Sequence, residues 1–538
     1  MKNIINIAKD KLYKPKNIIL VSIDTLRYDC VGYQKNKNEL IKHDVLKLLE
    51  TPNLDEIAKK SICFTNAISV STYTTSTHAS ILTGLYPPKH GVRAFYDTKL
   101  SKNVLTLAEI LKKEDYITVF STDIIDLFGP LDLTRGFSHI FVKQDRDLYE
   151  FLSKNKDNKI FLFIHFFDVH FPYLLSDYDI CSGYNLDYYD MINFLCKKYN
   201  IEMHVPNDKP YEQWNYIGRI IEKNISTFLP FYIKGVTKFD KGRFKKFINY
   251  ISGQGYINNS MLIILSDHGE GGCNEDNRNM FGHGNFPYEN VIRIPLIIYY
   301  KGVKTSIVDD QVSIIDIFST ILNKALDKKL EDIIPYNIDG HNLLSGFVYS
   351  GNNHDRVLGE IWGCNSTFYI SDEGVLTPDK NVAWSLNYRF IRSKDKKYII
   401  CGMQDRFYDE YVFNLPNDEF LRYLYQEILG RMQDKDGFEH WLKILNSKSS
   451  SKRDVLNYFL KSEEYKKRNR IVMFDLENDI DELNCINPLQ SLTNISEFYK
   501  YASHMLDIEK STVLSEKIFS DNKDEEKIKE RLKTLGYL

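Results

Sequence analysis

Two apolar runs in this chain end in residues of the kind that bind metal ions. Asn17-Ile18-Ile19-Leu20-Val21-Ser22-Ile23 stops at Asp24, and Met261-Leu262-Ile263-Ile264-Leu265-Ser266 stops at Asp267-His268-Gly269. Two carboxylates and an imidazole make a ligand set of mixed hardness, suited to Mn, Zn or Mg more than to a thiolate-bound metal. Between them in the sequence lies Thr74-Thr75-Ser76-Thr77-His78, a hydroxyl-rich turn that runs into a short apolar helix ending at Thr83-Gly84. A divalent cation lowers the pKa of a neighbouring hydroxyl and holds an anionic ester for in-line attack. The amino end of a helix adds a second attraction for an anion at Thr74. An Asp after a strand is ordinarily a turn residue, so no one of these positions makes a site alone, and the combination carries the reading.

The elements that must hold these residues follow from periodicity. From Asn17 to about Tyr300, short β-branched runs alternate with helical stretches, which predicts an α/β fold with a mainly parallel sheet covered on both faces. Strands are expected at Ile18 to Ile23, Tyr116 to Ser121, Ile160 to His165, Met261 to Ser266 and Leu296 to Tyr300, and helices at Asn53 to Lys60 and Leu105 to Lys113. Ligands gather beyond the carboxyl ends of such strands, where Asp24, Asp168 and Asp267 all fall. The α/β/α sandwich is expected over 15–350, with a weakly periodic, lid-like insertion at 174–250. A smaller α+β subdomain is expected over 351–416 and 469–538, interrupted at 417–468 by a module of short capped helices in which Trp441 is a core residue. The tail from Asp521 to Leu538 reads as a charged helix.

Composition narrows the class. The formal net charge of -3 argues against a nucleic-acid binder, which would carry a basic surplus. No run approaches the roughly 18 apolar residues needed to cross a bilayer. The first ten residues have charges recurring through their apolar stretch, unlike a secretory signal. The 8 cysteines are scattered without a C-x-x-C pair, which fits reduced thiols, so a cytoplasmic location is expected.

The motifs Ile23-Asp24-Thr25-Leu26-Arg27-Tyr28-Asp29, Thr74 to Gly84, Phe166-Phe167-Asp168-Val169-His170-Phe171-Pro172-Tyr173, Ser266-Asp267-His268-Gly269-Glu270 and Gly282-His283-Gly284 followed by Tyr288-Glu289 and Arg293-Ile294-Pro295 come in one order. In that order the chain resembles the sulfatase family of the alkaline phosphatase superfamily, a group of α/β/α metalloenzymes. The resemblance runs from about Asn17 to the terminal Leu535-Gly536-Tyr537-Leu538. It implies Asp24, Asp267 and His268 as metal ligands, with Thr74 as nucleophile and further ligand. It also implies that His170 and His283 touch the anionic head of the substrate or protonate its leaving oxygen, a role an imidazole can fill near neutral pH. In superfamily members that hold two zinc ions, Asp168, His170 and His283 would supply the second; here one ion is expected. The stretch from Asp418 to about Arg468 resembles a small helical module of unknown function found in bacterial proteins, and it hints at a glycan-linked substrate.

Departures from the family pattern bear on the chemistry. Sulfatases place at the Thr74 position a Cys or Ser that matures to formylglycine, and threonine cannot be converted to that aldehyde. The arginine of the same core is His78 here, which groups His78 with the catalytic residues. Thr25 stands in place of a second acidic ligand, which disfavours a calcium site rich in oxygens. Asp123 and Ile125 stand where sulfatases place a lysine and a histidine. These changes resemble the threonine-nucleophile relatives that act on phosphodiesters, phosphonates and phosphoglycerol or phosphoethanolamine groups. The resemblance therefore implies a phosphate ester hydrolase or transferase with one divalent ion (Mn, Zn or Mg in preference to Ca), no formylglycine, and a small-molecule or glycan-linked anionic ester as substrate. Thr72 or Thr75 would replace Thr74 as nucleophile if the register slips. The alternatives are a sulfatase that uses an unmodified threonine and an inactive binding protein.

Overall fold

The strand that ends at Asp24, β1 (Asn17–Ile23), is buried along its whole length because both of its faces are apolar and both are covered. The computed structural model describes residues 14–35, 49–93, 98–170, 229–271, 282–284, 287–326, 328–345, 356–361, 368–370, 376–378, 388–401, 413–425, 429, 433–462, 471–479, 482 and 516–517. After β1 come α1 (Pro52–Ala58), β2 (Ile62–Ile68), α2 (Thr74–Thr83), α3 (Leu107–Lys113), β3 (Tyr116–Thr122), β4 (His139–Val142), α4 (Asp145–Lys154) and β5 (Lys159–Phe166). The chain continues through α5 (Leu229–Phe239), a π turn at Asp240–Phe244, α6 (Lys245–Gly253), β6 (Ser260–Leu265), β7 (Arg293–Tyr299), β8 (Ser306–Val308), β9 (Val312–Ser313) and α7 (Asp316–Ala325).

The nine strands form one sheet in the order β9-β2-β7-β6-β1-β5-β3-β4, with β8 beside β2. β1 pairs in parallel with β5 and with β6, so the loops after all three emerge at the same edge. That register puts Asp24, Asp168 and Asp267 side by side, as expected for a sheet whose ligands sit at its carboxyl edge. β7 runs antiparallel to both β6 and β2 and makes the sheet mixed, while its other pairings are parallel.

Side chains along each strand divide between two cores. Ile19, Val21 and Ile23 of β1, with Leu162 and Ile164 of β5, face a cluster that includes Tyr232, Val236, Phe239, Phe244 and Phe247. Those residues belong to the end of the stretch read as a lid, so 229–250 packs as core beneath the sheet, while 174–228 lies outside the described residues. On the other face Phe163 stacks on Phe120 at 5.1 Å, and Phe128 lies edge-on to Phe120 at 5.0 Å.

The contacts divide the chain into a unit of residues 1–359 and 505–538 and a second unit of 360–504. The second unit has an antiparallel sheet of β10 (Tyr388–Arg392), β11 (Lys396–Cys401) and β12 (Ile471–Asp475). It also has a helical cluster of α8 (Asn417–Tyr423), α9 (Lys435–Asn446) and α10 (Lys452–Lys461), closed around Phe420, Leu424, Tyr425 and Phe459. Ser451 and Asp454 form a capping box that starts α10. Trp441 is half-buried against this cluster, its ring 5.7 Å from Phe459 and 4.6 Å from the exposed Tyr458. The tail from 521 to 538 lies outside the described residues.

Candidate active site

Each strand-end aspartate has one oxygen engaged and one bare. Asp24 Oδ2 lies 3.1 Å from His165 Nε2 and 3.5 Å from Thr74 Oγ1, while its Oδ1 has no hydrogen-bond partner among the described residues. Asp267 Oδ1 accepts the backbone amides of Thr25 at 3.2 Å and His268 at 2.9 Å, and its Oδ2 has no hydrogen-bond partner among them. A buried carboxylate oxygen without a donor is costly unless something positive faces it. His268 completes the set: its Nδ1–H donates to the Gly269 carbonyl at 2.9 Å, which leaves the Nε2 lone pair to point at the aspartates. Single ligand atoms of Asp24, Asp267 and His268 all fall within 4.8 Å of one another, so the three residues fit a metal cation.

Charges in the site lean the same way. Burial pushes the Asp24 carboxyl well above the carboxylate range, and the charge of Asp267 adds to it. Burial also raises Asp267, but the imidazoles of His268, His78 and His165 outweigh it and hold Asp267 low. A cation between the two carboxylates would therefore compete with a proton on Asp24, the carboxyl whose pKa is raised.

Thr74 opens α2, with Tyr73 as its N-cap. Its hydroxyl reaches His268 Nε2 at 3.2 Å as well as Asp24. Thr72 and Thr75 are buried too, yet their hydroxyls reach neither ligand and have no hydrogen-bond partner among the described residues. One helical turn on, His78 Nδ1 donates to the Thr74 carbonyl at 2.7 Å and its Nε2 meets Ser22 Oγ at 2.9 Å. His78 is fully buried, and burial pushes its pKa down to about 4, so it sits beneath Thr74 as a neutral, doubly bonded ring. His78, His165 and Asp267 also bring ligand atoms within 4.8 Å. Both nitrogens of both rings are already engaged, however, so that trio braces the site and holds no cation of its own.

His283 stands in a turn between two glycines with φ of 80° and 86°, a conformation that residues with a Cβ adopt only with strain. Its ring lies 4.4 Å from that of His268 and 5.0 Å from that of His170. Burial alone would lower its pKa, but Glu270, whose Oε1 is 3.4 Å from Nδ1, helps hold it above the ordinary value. His170 stacks on Phe167 at 4.2 Å. The three imidazoles form a wall next to the Asp24–Asp267 pair. Asp168 turns to Arg243, accepting Nη1–H at 2.8 Å, and together with His170 and His283 it forms no further ligand cluster among the described residues.

Sequence reasoning missed three participants. Arg243, on the π turn, joins Asp123, Asp145 and Asp168, with a bidentate pair to Asp145 at 2.8 Å, and so ties the loops after β3 and β5 to the inserted helices. The readable signal for His165 is an ionisable residue in an otherwise apolar strand. For Glu270 it is an acid directly after Asp-His-Gly. Thr25, buried and at φ 56°, is a β-branched residue in left-handed backbone, held by Tyr232 Oη donating to its carbonyl at 2.8 Å.

With this geometry in view, comparison with known proteins gives a consistent result. The Sulfatase family model matches residues 16–326, and a domain of unknown function (DUF4214) matches residues 403–469. An arylsulfatase of Clostridium perfringens is 26% identical over 509 residues, covering 80% of this chain and 97% of that protein. An ulvan-active sulfatase of Formosa agariphila is 25% identical over 357 residues, covering 62% of this chain and 65% of its own. A solved structure in complex with its substrate D-glucosamine-2-N,6-O-disulfate superposes with a TM-score of 0.55 at 16% identity, covering 93% of this chain and 98% of that one.

Proposed function

This chain belongs to the sulfatase family, and on that premise we propose that it hydrolyses or transfers a phosphate ester, with Thr74 as the attacking group and Asp24, Asp267 and His268 as ligands of one divalent ion. The observation that carries the reading is the position of Thr74 Oγ1, 3.2 Å from His268 Nε2 and 3.5 Å from Asp24 Oδ2 at the start of a helix. When bound, the cation would lower the pKa of the Thr74 hydroxyl and draw an ester oxygen toward it. Thr74 Oγ, passing its proton to Asp24 Oδ2, would then form a bond to phosphorus as the bond to the leaving ester oxygen breaks, and His283 would give that oxygen its proton. Burial opposes a charge on His283, but Glu270 helps raise its pKa above the ordinary value and so favours the protonated donor, and His170 lies alongside to contact the anionic head. Water or an acceptor alcohol, giving its proton to the now neutral His283, would displace the phosphothreonine oxygen, which takes its proton back from Asp24 and frees Thr74.

Charge supports a monoanionic ester. Among the described residues no lysine or arginine hydrogen-bonds to Asp24, Thr74, Asp267 or His268, and His78 and His165 are both pushed down to about 4 by burial. Two carboxylates balance a divalent ion and Glu270 offsets a charge on His283, so a dianionic phosphomonoester would find little further positive charge, whereas a phosphodiester carries a single charge. A sulfate ester is also a monoanion, and the names of the relatives favour this second reading. The ester is small or glycan-linked, and we place the enzyme in the cytoplasm. Among the described residues no helix is long and apolar enough to cross a membrane.

The test is turnover of aryl phosphodiester, phosphomonoester, phosphonate and sulfate esters by the metal-reconstituted enzyme. The phosphodiester is expected to be the best substrate. Turnover of the sulfate alone would replace the phosphate reading with the sulfate one.

A further inference from the structure

A cation ligand must present one chosen oxygen, and the residue that makes the choice for Asp24 is His165. Asp24 Oδ2 faces His165 Nε2 at 3.1 Å, while Oδ1 stays bare. The proton on Nε2 is itself dictated from behind. His165 Nδ1 lies 3.2 Å from Thr122 Oγ1, and that hydroxyl already accepts the Ile124 amide at 3.1 Å, so its own proton is available to Nδ1. With Nδ1 accepting, the ring hydrogen belongs to Nε2 and is donated to Asp24. Strand register makes the arrangement rigid: Ser22, His165 and Thr122 are direct neighbours across β1, β5 and β3, on one face of the sheet. The ring has no solvent exposure and is walled edge-on by Phe128 at 5.1 Å and His78 at 5.0 Å, which leaves no room to turn.

We propose that His165, oriented by Thr122, is a positioning residue that fixes Asp24 so that Oδ1 faces a divalent cation and Oδ2 stays toward Thr74. His165 touches neither the cation nor the substrate. This rests on the reading of Asp24 as a cation ligand. Outer hydrogen bonds of this kind typically change metal affinity by about 10- to 100-fold.

The experiment is calorimetric titration of Mn2+ into the metal-stripped full chain, for the wild type and three variants, with thermal melts alongside. His165→Phe keeps the aromatic volume and removes the donor; it should weaken Mn2+ binding by about 10-fold or more. His165→Gln places an amide N–H near the former Nε2, and it should recover most of the lost affinity. Thr122→Val removes the hydroxyl that sets the tautomer at nearly constant shape, and it should weaken binding several-fold; it stands as the test if His165→Phe does not fold. Wild-type affinity in Thr122→Val, or equal affinities for His165→Phe and His165→Gln, overturns the assignment while leaving the cation site in place. A wild type that binds no Mn2+ removes the cation site and this inference with it.

Discussion

Gly269→Ala should be far more damaging than the addition of one methyl group on a loop suggests. A Cβ at Gly269 would stand 2.0 Å from the Asn290 carbonyl oxygen and 3.0 Å from its carbon. Both are backbone atoms, so no rotamer change relieves the clash. A carbon–oxygen contact needs about 3.3 Å, and the two segments must therefore part by roughly 1.3 Å. That motion breaks the bond from the Gly269 amide to the Val291 carbonyl, now 2.7 Å long. The lost bond costs about 0.5–1.5 kcal/mol, and the repacking costs about 1–3 kcal/mol, which together give roughly 2–4 kcal/mol. The shift also reaches chemistry, because the Gly269 carbonyl holds His268 Nδ1 at 2.9 Å. A displacement of about 1 Å at a reacting group costs on the order of 10²-fold. Urea unfolding and kcat/KM measured on the same preparation are the assays. A variant within about 0.5 kcal/mol of wild-type stability, the range of neutral surface changes, and with unchanged kcat/KM would refute the reasoning.

Three further outcomes follow from the site. His283 is held above its ordinary pKa, with burial outweighed by Glu270 together with Asp24 and Asp267, so a proton donor there works below its pKa and fails above it; Glu270→Gln should move the alkaline limb of kcat/KM to lower pH, and an unmoved limb would remove His283 as the donor. Because burial and Asp267 raise the Asp24 pKa, cation binding should release protons and weaken as pH falls, which calorimetry in buffers of different ionisation enthalpy reads directly; no proton release would contradict the raised pKa of Asp24. Tyr232→Phe removes the hydroxyl that donates to the Thr25 carbonyl and accepts from the Arg27 amide, each at 2.8 Å, and should cost about 1–3 kcal/mol in urea unfolding; wild-type stability would show that the inserted helix does not brace the metal loop.

The parts of this molecule legible in the sequence are those in which local pattern and chemistry coincide. Asp24 and Asp267 close uniformly apolar runs, so both the strands and their functional ends could be read. β2 escaped because Cys63, Thr65 and Asn66 dilute its apolar pattern, although six of its seven residues are buried. The antiparallel sense of β7 depends on how the chain returns to the sheet, which periodicity does not encode. His165 lay inside an expected strand, and its role appears only when Thr122 and Asp24 are brought beside it from positions 43 and 141 residues away. Arg243 meets partners 75 to 120 residues distant, from a segment with weak periodicity, so nothing local announced it. The residue types at Thr74 and His78 are legible in the sequence, and only the folded chain shows that His78 Nδ1 donates to the Thr74 carbonyl.

The central claim is that Thr74 is the nucleophile of a cation-dependent ester hydrolase or transferase. The most direct measurement is rapid quenching of the metal-reconstituted enzyme during turnover of an aryl phosphodiester, with mass spectrometry of the peptide spanning Tyr73 to Thr83, beside steady-state rates of Thr74→Ala. The account predicts a phosphoryl adduct on Thr74 and a loss of at least about 10³-fold in kcat for the variant. An adduct on Thr72 or Thr75, or robust turnover by Thr74→Ala, would contradict it.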